Sequence, residues 1–176
     1  IWKVGGLVGL SVSQTSLSNW AAGGDEFSLS LNALANLYAF YKKGRSSWDN
    51  LFDFGLGLVR TTSLGSRKSD DRFDLFSKYG YAVSPKWNVS ALFDFRSQFF
   101  KGYTYSAANK TFSSAFLSPA YLLLGAGMDY KPNEHFSVFI SPAMGRLTIL
   151  KDDTLSAKGL YGVTEGEHHH FEFGAF

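Results

Sequence analysis

The stretch at residues 27–41, FSLSLNALANLYAFY, decides the fold. Its odd positions are apolar or aromatic throughout: Phe27, Leu29, Leu31, Ala33, Ala35, Leu37, Ala39 and Tyr41. Its even positions are largely polar, with Ser28, Ser30, Asn32 and Asn36 broken by Leu34, Tyr38 and Phe40. A period of two puts successive side chains on opposite faces of a β-strand. At about 3.3 Å per residue this strand would be roughly 50 Å long, far beyond the usual five or six residues. A continuous oily strand face of that length suits a membrane crossing.

The same alternation recurs in seven further segments. Trp2, Val4, Gly6, Val8, Leu10 and Val12 oppose Lys3, Gly5, Gly9, Ser11 and Ser13. Trp48, Phe52, Phe54, Leu56 and Leu58 oppose Asp49, Asp53, Gly55 and Gly57; Phe73, Leu75, Tyr79, Tyr81 and Val83 oppose Asp74, Lys78 and Gly80. In the fifth segment Trp87, Val89, Ala91, Phe93, Phe95 and Phe99 oppose Asn88, Ser90, Asp94, Arg96 and Gln98. The sixth sets Phe116, Ala120, Leu122, Leu124, Ala126, Met128 and Tyr130 against Tyr121, Gly125, Gly127 and Asp129. The seventh opens on Phe136, Val138 and Ile140, and the eighth, HHHFEFGAF, carries Phe171, Phe173 and Ala175 on its oily face. Pro119 and Pro142 interrupt segments six and seven and predict bulges, with the oily parity slipping after Met144 to Leu147 and Ile149. No window has a 3.6-residue period, so the chain is all-β.

Composition agrees. Of 176 residues 17% are aromatic and only 18% charged, below the usual quarter. A net charge of +2 without a Lys/Arg stripe argues against nucleic acid as a partner. The absence of cysteine removes disulfides and thiolate metal sites. Mean hydropathy is −0.08 and there is no 18-residue apolar run, which excludes a transmembrane helix but is normal for a transmembrane barrel. The chain opens at Ile1-Trp2, so any signal peptide is expected to have been removed.

The connections alternate in length. YKKGRSSW, VSPKW and YKPNEHF read as short turns; Trp20–Glu26, Thr61–Arg72, Lys101–Ala115 and Lys151–Glu167 read as long loops. Short periplasmic turns and longer extracellular loops are the habit of outer-membrane barrels. Aromatics collect at both ends of the oily faces. Trp2, Tyr41, Trp48, Tyr81, Trp87, Tyr130 and Phe136 lie beside the short turns or the N-terminus, and Phe27, Phe73, Phe99 and Phe116 beside the long loops. Two girdles around a Leu/Val/Ala band mark membrane interfaces, and a polar face rich in Gly, Ser, Asn and Asp suits a crowded barrel interior. The expected fold is therefore a transmembrane antiparallel up-and-down β-barrel of at least eight strands, one domain over residues 1–176. The alternative is a soluble lipocalin-like barrel or sandwich. Because the eighth segment is short, the chain is expected to be an incomplete portion of a larger barrel, cut at its C-terminal end.

SLSNWAAGG, YKKGRSSWDN, RKSDDRFDLFSKYG, SPAYLLLGAGMDYKPN and FEFGAF together resemble an uncharacterised Bacteroidota family known only as a domain of unknown function. The resemblance runs over nearly the whole chain. It implies a secreted outer-membrane β-barrel with further strands beyond FEFGAF, and carries no catalytic residues.

Few residues suggest chemistry. His168, His169 and His170 follow Glu165 and Glu167, but consecutive strand residues point to opposite faces and cannot share one metal. Asp70, Asp71, Asp152 and Asp153 with the His run could form a hydrolase site at the extracellular rim. Contacts with lipopolysaccharide and divalent cations account for the same residues more cheaply. On the inward face, Asp53, Asp74, Asp94, Asp129 and Glu172 meet Lys3, Lys78 and Arg96, and buried charges of this kind must be paired or wetted. No cofactor or metal is expected. The favoured function is a non-catalytic structural or accessory subunit of the cell outer membrane. Its expected partners are outer-membrane lipid, lipopolysaccharide and other envelope proteins. A small diffusion channel and a barrel hydrolase are the alternatives.

Overall fold

The computed structural model describes residues 1–17, 26–105, 110–133 and 135–175. The strands are β1 (Trp2–Ser16), β2 (Phe27–Lys43), β3 (Ser46–Thr61), β4 (Gly65–Ala82), β5 (Trp87–Ser97), β6 (Gly102–Tyr105), β7 (Lys110–Ser114), β8 (Ala120–Asn133), β9 (Phe136–Ile149) and β10 (His169–Gly174). A helical turn, α1 (Asp153–Ser156), and a 3-10 turn (Leu160–Gly162) lie between β9 and β10. Eight strands form one antiparallel sheet in the order β1-β2-β3-β4-β5-β8-β9-β10, and β6 and β7 form a separate hairpin. Among the described residues no ladder joins β10 to β1, so the sheet has two free edges.

The register keeps each face pure. Val12, Leu31 and Leu58 stand in one row across β1, β2 and β3; Ser11, Asn32 and Gly57 stand in the next row on the opposite face. What this single layer buries is unusual. The middle of the polar face is covered, with Asp129 at 3% and Ser141 at 1% exposure, and its margin on β1 to β3 is open, with Leu7 at 63%; on the apolar face Leu124 is 51% and Val89 47% exposed. A soluble sandwich buries the opposite face. Covering one face without a second layer requires the sheet to curl around it. The Lys78 Nζ on β4 shows how far, lying 4.4 Å from the ring centre of Phe139 on β9. Three strand spacings separate those strands, about 14 Å in a flat sheet.

The loop end carries its own small core. Leu150, Leu155 and Val163 are buried together, with Phe112 of β7 and Leu160 packed against them. Asp152 caps α1 by accepting from the Thr154 and Leu155 amides at 3.0 and 3.3 Å. The Tyr161 hydroxyl donates to the Ser113 carbonyl at 2.6 Å, and burial pushes its phenol above the ordinary value, keeping it a donor.

Several sequence expectations change. The long loop at Thr61–Arg72 is mostly strand: β3 reaches Thr61, β4 starts at Gly65, and only a short turn lies between. Polar residues such as Arg60 and Ser66 end the apolar alternation while the hydrogen-bond ladder continues. The Lys101–Ala115 loop contains the β6–β7 hairpin, and Lys151–Glu167 contains the two helical turns. The expected loop at Trp20–Glu26 lies, except for Glu26, outside the described residues. Phe116 sits in a turn rather than in β8, and Pro119 precedes the first ladder residue Ala120, so neither interrupts a strand. Pro142 does mark a bulge: Ser141 and Pro142 together face Gly127, between the pairs Ala126–Ala143 and Met128–Ile140. The oily parity therefore switches at Ser141–Pro142, before Ala143, and not after Met144.

Gly127 is required there. A Cβ would lie 2.8 Å from the Ser141 Cα and press on the Ile140 carbonyl, both backbone atoms. Gly127→Ala is expected to destabilise the fold by about 1–3 kcal/mol, read as a lower denaturant midpoint. Gly174→Ala, whose Cβ would meet nothing within 4 Å, should leave the midpoint unchanged.

Candidate functional site

The polar face holds three charge clusters. In the first, Asp53 of β3 stands directly opposite Asp74 of β4, and Asp74 directly opposite Arg96 of β5. Two carboxylates face to face repel each other unless cations intervene. Arg96 does so twice, its Nε 3.1 Å from Asp74 Oδ2 and its Nη2 2.9 Å from Asp94 Oδ2. Arg72 Nε approaches Asp53 Oδ1 only to 3.5 Å, and both that oxygen and Asp94 Oδ1 are buried without a hydrogen-bond donor. A cleft of about 390 Å³ opens over this group, walled by Tyr38, Leu51 and Phe76.

The second cluster is tighter. Lys78 Nζ lies 2.7 Å from Asp129 Oδ1, and the Ser90 hydroxyl donates to Oδ2 of the same carboxylate. With Phe139 beneath the ammonium, this group ties β4, β5, β8 and β9 together. In the third, Arg146 Nε donates to Glu172 Oε2 at 2.7 Å, joining β9 to β10, with His170 Nε2 3.7 Å from Glu172 Oε1.

Asp53, Asp74, Asp94, Arg96, Lys78, Asp129 and Glu172 share one face of the sheet, but they form three groups and not one network. Lys3 shares the face, paired with Phe40, yet has no carboxylate within 4 Å among the described residues. Arg72, Arg146 and Ser90 complete the clusters and were missed. Arg72 and Ser90 have the inward parity of their strands and could have been found. Arg146 is turned inward only by the bulge at Ser141–Pro142.

The rim residues do not converge. The Asp71 carboxylate is buried, accepts from the Phe99 and Phe100 amides, and pairs with Lys68 at 3.0 Å. Asp152 is occupied in capping α1, and Asp70 stands against Gly55 inside the sheet. His168 meets the Leu150 carbonyl through Nδ1 and lies 3.6 Å from Asp153; His169 pairs with Ile149 and His170 with Thr148 on alternate faces. Among the described residues no group of three His or acidic side chains could hold a metal ion.

The aromatics gather at the short-turn end. Beside the short turns, Trp2 packs on Tyr41 and Trp48 at 4.9 and 5.9 Å, and Trp87 on Tyr130 at 4.8 Å. Tyr81 and Phe136 lie exposed at the same end. Trp48 Nε1 donates to Ser77, which in turn donates to Asn50, so two polar groups on the apolar face are satisfied. Phe73, Phe99 and Phe116 pack in sequence at 5.3 and 5.7 Å, but Phe73 pairs with Phe54 midway along β3 and β4 while Phe27 stands at the loop end of β2, so the aromatics expected beside the long loops do not share one level.

Comparison with known families gives one match. Residues 12–103 fit the model of a family described as proteins of unknown function (DUF3078). The chain belongs to that family. No curated protein and no solved structure matches it. The matched region of this DUF3078 protein runs from β1 into β6 and includes the Asp53–Asp74–Arg96 cluster.

Lys78→Met would leave Asp129 buried and unpaired, with an expected cost of about 3 kcal/mol. Adding Asp129→Asn should restore most of that loss. Equilibrium unfolding of the two variants checks the pair; equal stability of Lys78→Met and the parent would rule out its role.

Proposed function

We propose that this chain forms the wall of an outer-membrane β-barrel in a Gram-negative, Bacteroidota-type envelope, as a non-catalytic structural or accessory subunit. One observation carries the reading: a single-layer sheet curled so that the middle of its polar face, at Ser90, Asp94, Asp129 and Ser141, is buried while large residues of the apolar face such as Leu124 and Val89 are exposed. In water that arrangement is unfavourable, because each exposed Å² of apolar surface costs about 25 cal/mol. In hydrocarbon it is the required one. From Trp48 to Leu58 strand β3 advances about 33 Å, or about 25 Å in height at a tilt near 40°, matching the apolar band of such barrels. Within a bilayer the edges of β1 and β10 cannot stay unpaired, so further strands complete the cylinder in this reading.

The inner face favours support over transport. Tyr38 and Phe40 stack at 5.0 Å on that face, with the Tyr38 ring over Gly5, and the charge clusters cross-link the same surface. The 390 Å³ cleft over Asp74 and Arg96 is the observation that favours a small diffusion channel as the second reading.

Leu124→Arg places a charge on the lipid face and is expected to lower stability in vesicles by about 2–4 kcal/mol. Leu29→Arg, nearer the loop end, should cost about 1 kcal/mol or less. A cost independent of depth, or a chain that stays in solution when offered vesicles, would overturn the membrane reading. Discrete current steps in planar bilayers would replace the structural reading with the channel.

A further inference from the structure

A bulge in β4 creates a feature that the barrel reading does not use. Ser69 is the extra residue, lying between the pairs Gly57–Asp70 and Leu58–Lys68. Bulges re-aim the side chains beyond them. Here Lys68, which unbroken alternation would place inward, joins Leu31 and Leu58 in one outward row. The next row toward the loops is Leu29, Arg60 and Ser66. The apolar face therefore ends, at the loop side, in aliphatic side chains immediately beside cations.

The chain leaving β5 builds a wall over these rows. Lys68 Nζ donates to Asp71 at 3.0 Å, to Gln98 at 3.1 Å and to the Phe100 carbonyl at 2.8 Å. Asp71 accepts from the Phe99 and Phe100 amides. These contacts hold Phe100 and Lys101 across the outward side of β4 and enclose a cleft of about 420 Å³. Its floor is Leu29, Leu31 and Leu58, and Arg60 and Lys101 stand beside it. Arg67 also borders the cleft, but it pairs with Val59 on the opposite face and donates to Thr61 there. Lys68 is neutralised by Asp71. Among the described residues Arg60 and Lys101 have no carboxylate within 4 Å.

Two uncompensated cations above an aliphatic floor match an anionic lipid with phosphate on the head and acyl chains below. We infer that this cleft binds the phosphorylated headgroup of an outer-leaflet glycolipid of the lipid A class, with an acyl chain along Leu29, Leu31 and Leu58. Arg60 takes the phosphate as a planar fork, and Lys101 meets it as a point charge from the opposite wall. The inference rests on the membrane reading, since only there does the cleft face lipid at the headgroup level.

The test is native mass spectrometry of the protein released from nanodiscs, titrated with bisphosphorylated and with monophosphorylated lipid A. The bisphosphorylated lipid should bind about tenfold more tightly, and Arg60→Ala/Lys101→Ala should remove that preference. Both side chains are exposed without ion-pair partners, so the variant should fold, which circular dichroism checks. If it does not fold, the two lipids on the parent protein still decide the matter. Equal affinity for them, or a preference that survives the double substitution, overturns the inference. Full competition by millimolar inorganic phosphate also overturns it, by revealing a free-anion site. Failure to enter nanodiscs at all would instead count against the membrane reading.

Discussion

The contact between Lys78 and Asp129 is the one on which the architecture leans. It spans β4 to β8 over the intervening β5, and with Phe139 it reaches β9. A flat sheet could not make it, so the pair and the curl require one another. Ser90 fills the remaining acceptor capacity of the carboxylate from β5, leaving neither oxygen without a partner. That complete satisfaction is what allows a charged group to be buried at low net cost. The Asp53–Asp74–Asp94 cluster lacks it, having three carboxylates, two arginines and two buried oxygens without donors. One cluster serves as a brace. The other is the soft place on the inner face, and the cleft opens there.

Two bulges reconcile straight ladders with what each face must carry. The one at Ser141–Pro142 resets the parity of β9, so that Ala143 and Leu147 stay on the apolar face and Arg146 turns inward to Glu172. The one at Ser69 works in the opposite sense at the loop end of β4, bringing Lys68 onto the apolar side where the band is finished. Each inserts one residue and reverses the facing of everything beyond it. Proline suits the first because the bulged residue has no ladder bond to lose.

How much of this was legible in the sequence depended on parity. Where one face was apolar throughout, as from Phe27 to Tyr41, the strand and its faces could be read directly. Alternation reports where one face is apolar, however, and not where the ladder ends. Arg60, Ser66 and Lys68 are polar and looked like loop, yet they extend β3 and β4 up to a tight turn. Arg146 was hidden for a related reason, since the bulge that turns it toward Glu172 on the adjacent strand leaves no local mark beyond Pro142. The separation of the inner charges into three groups was not legible at all. It follows from which residues lie opposite each other, and period-two patterning fixes the face of a residue without fixing its neighbour.

The inner face is also less polar than alternation suggests. Leu34, Tyr38, Phe40, Leu51 and Phe76 all carry the inward parity, and glycines on the neighbouring strand make room for Tyr38 and Leu34. Gly5 lies under the Tyr38 ring, and Gly9 lies opposite Leu34. The Tyr38 ring gives cover to the Gly5 backbone beneath it, and the glycine gives the ring a close contact that a Cβ would deny. The pairing of large residues with glycine sets a bulky part of the inner face on β2 beside β1, and the acidic cleft opens beside it over β3 to β5.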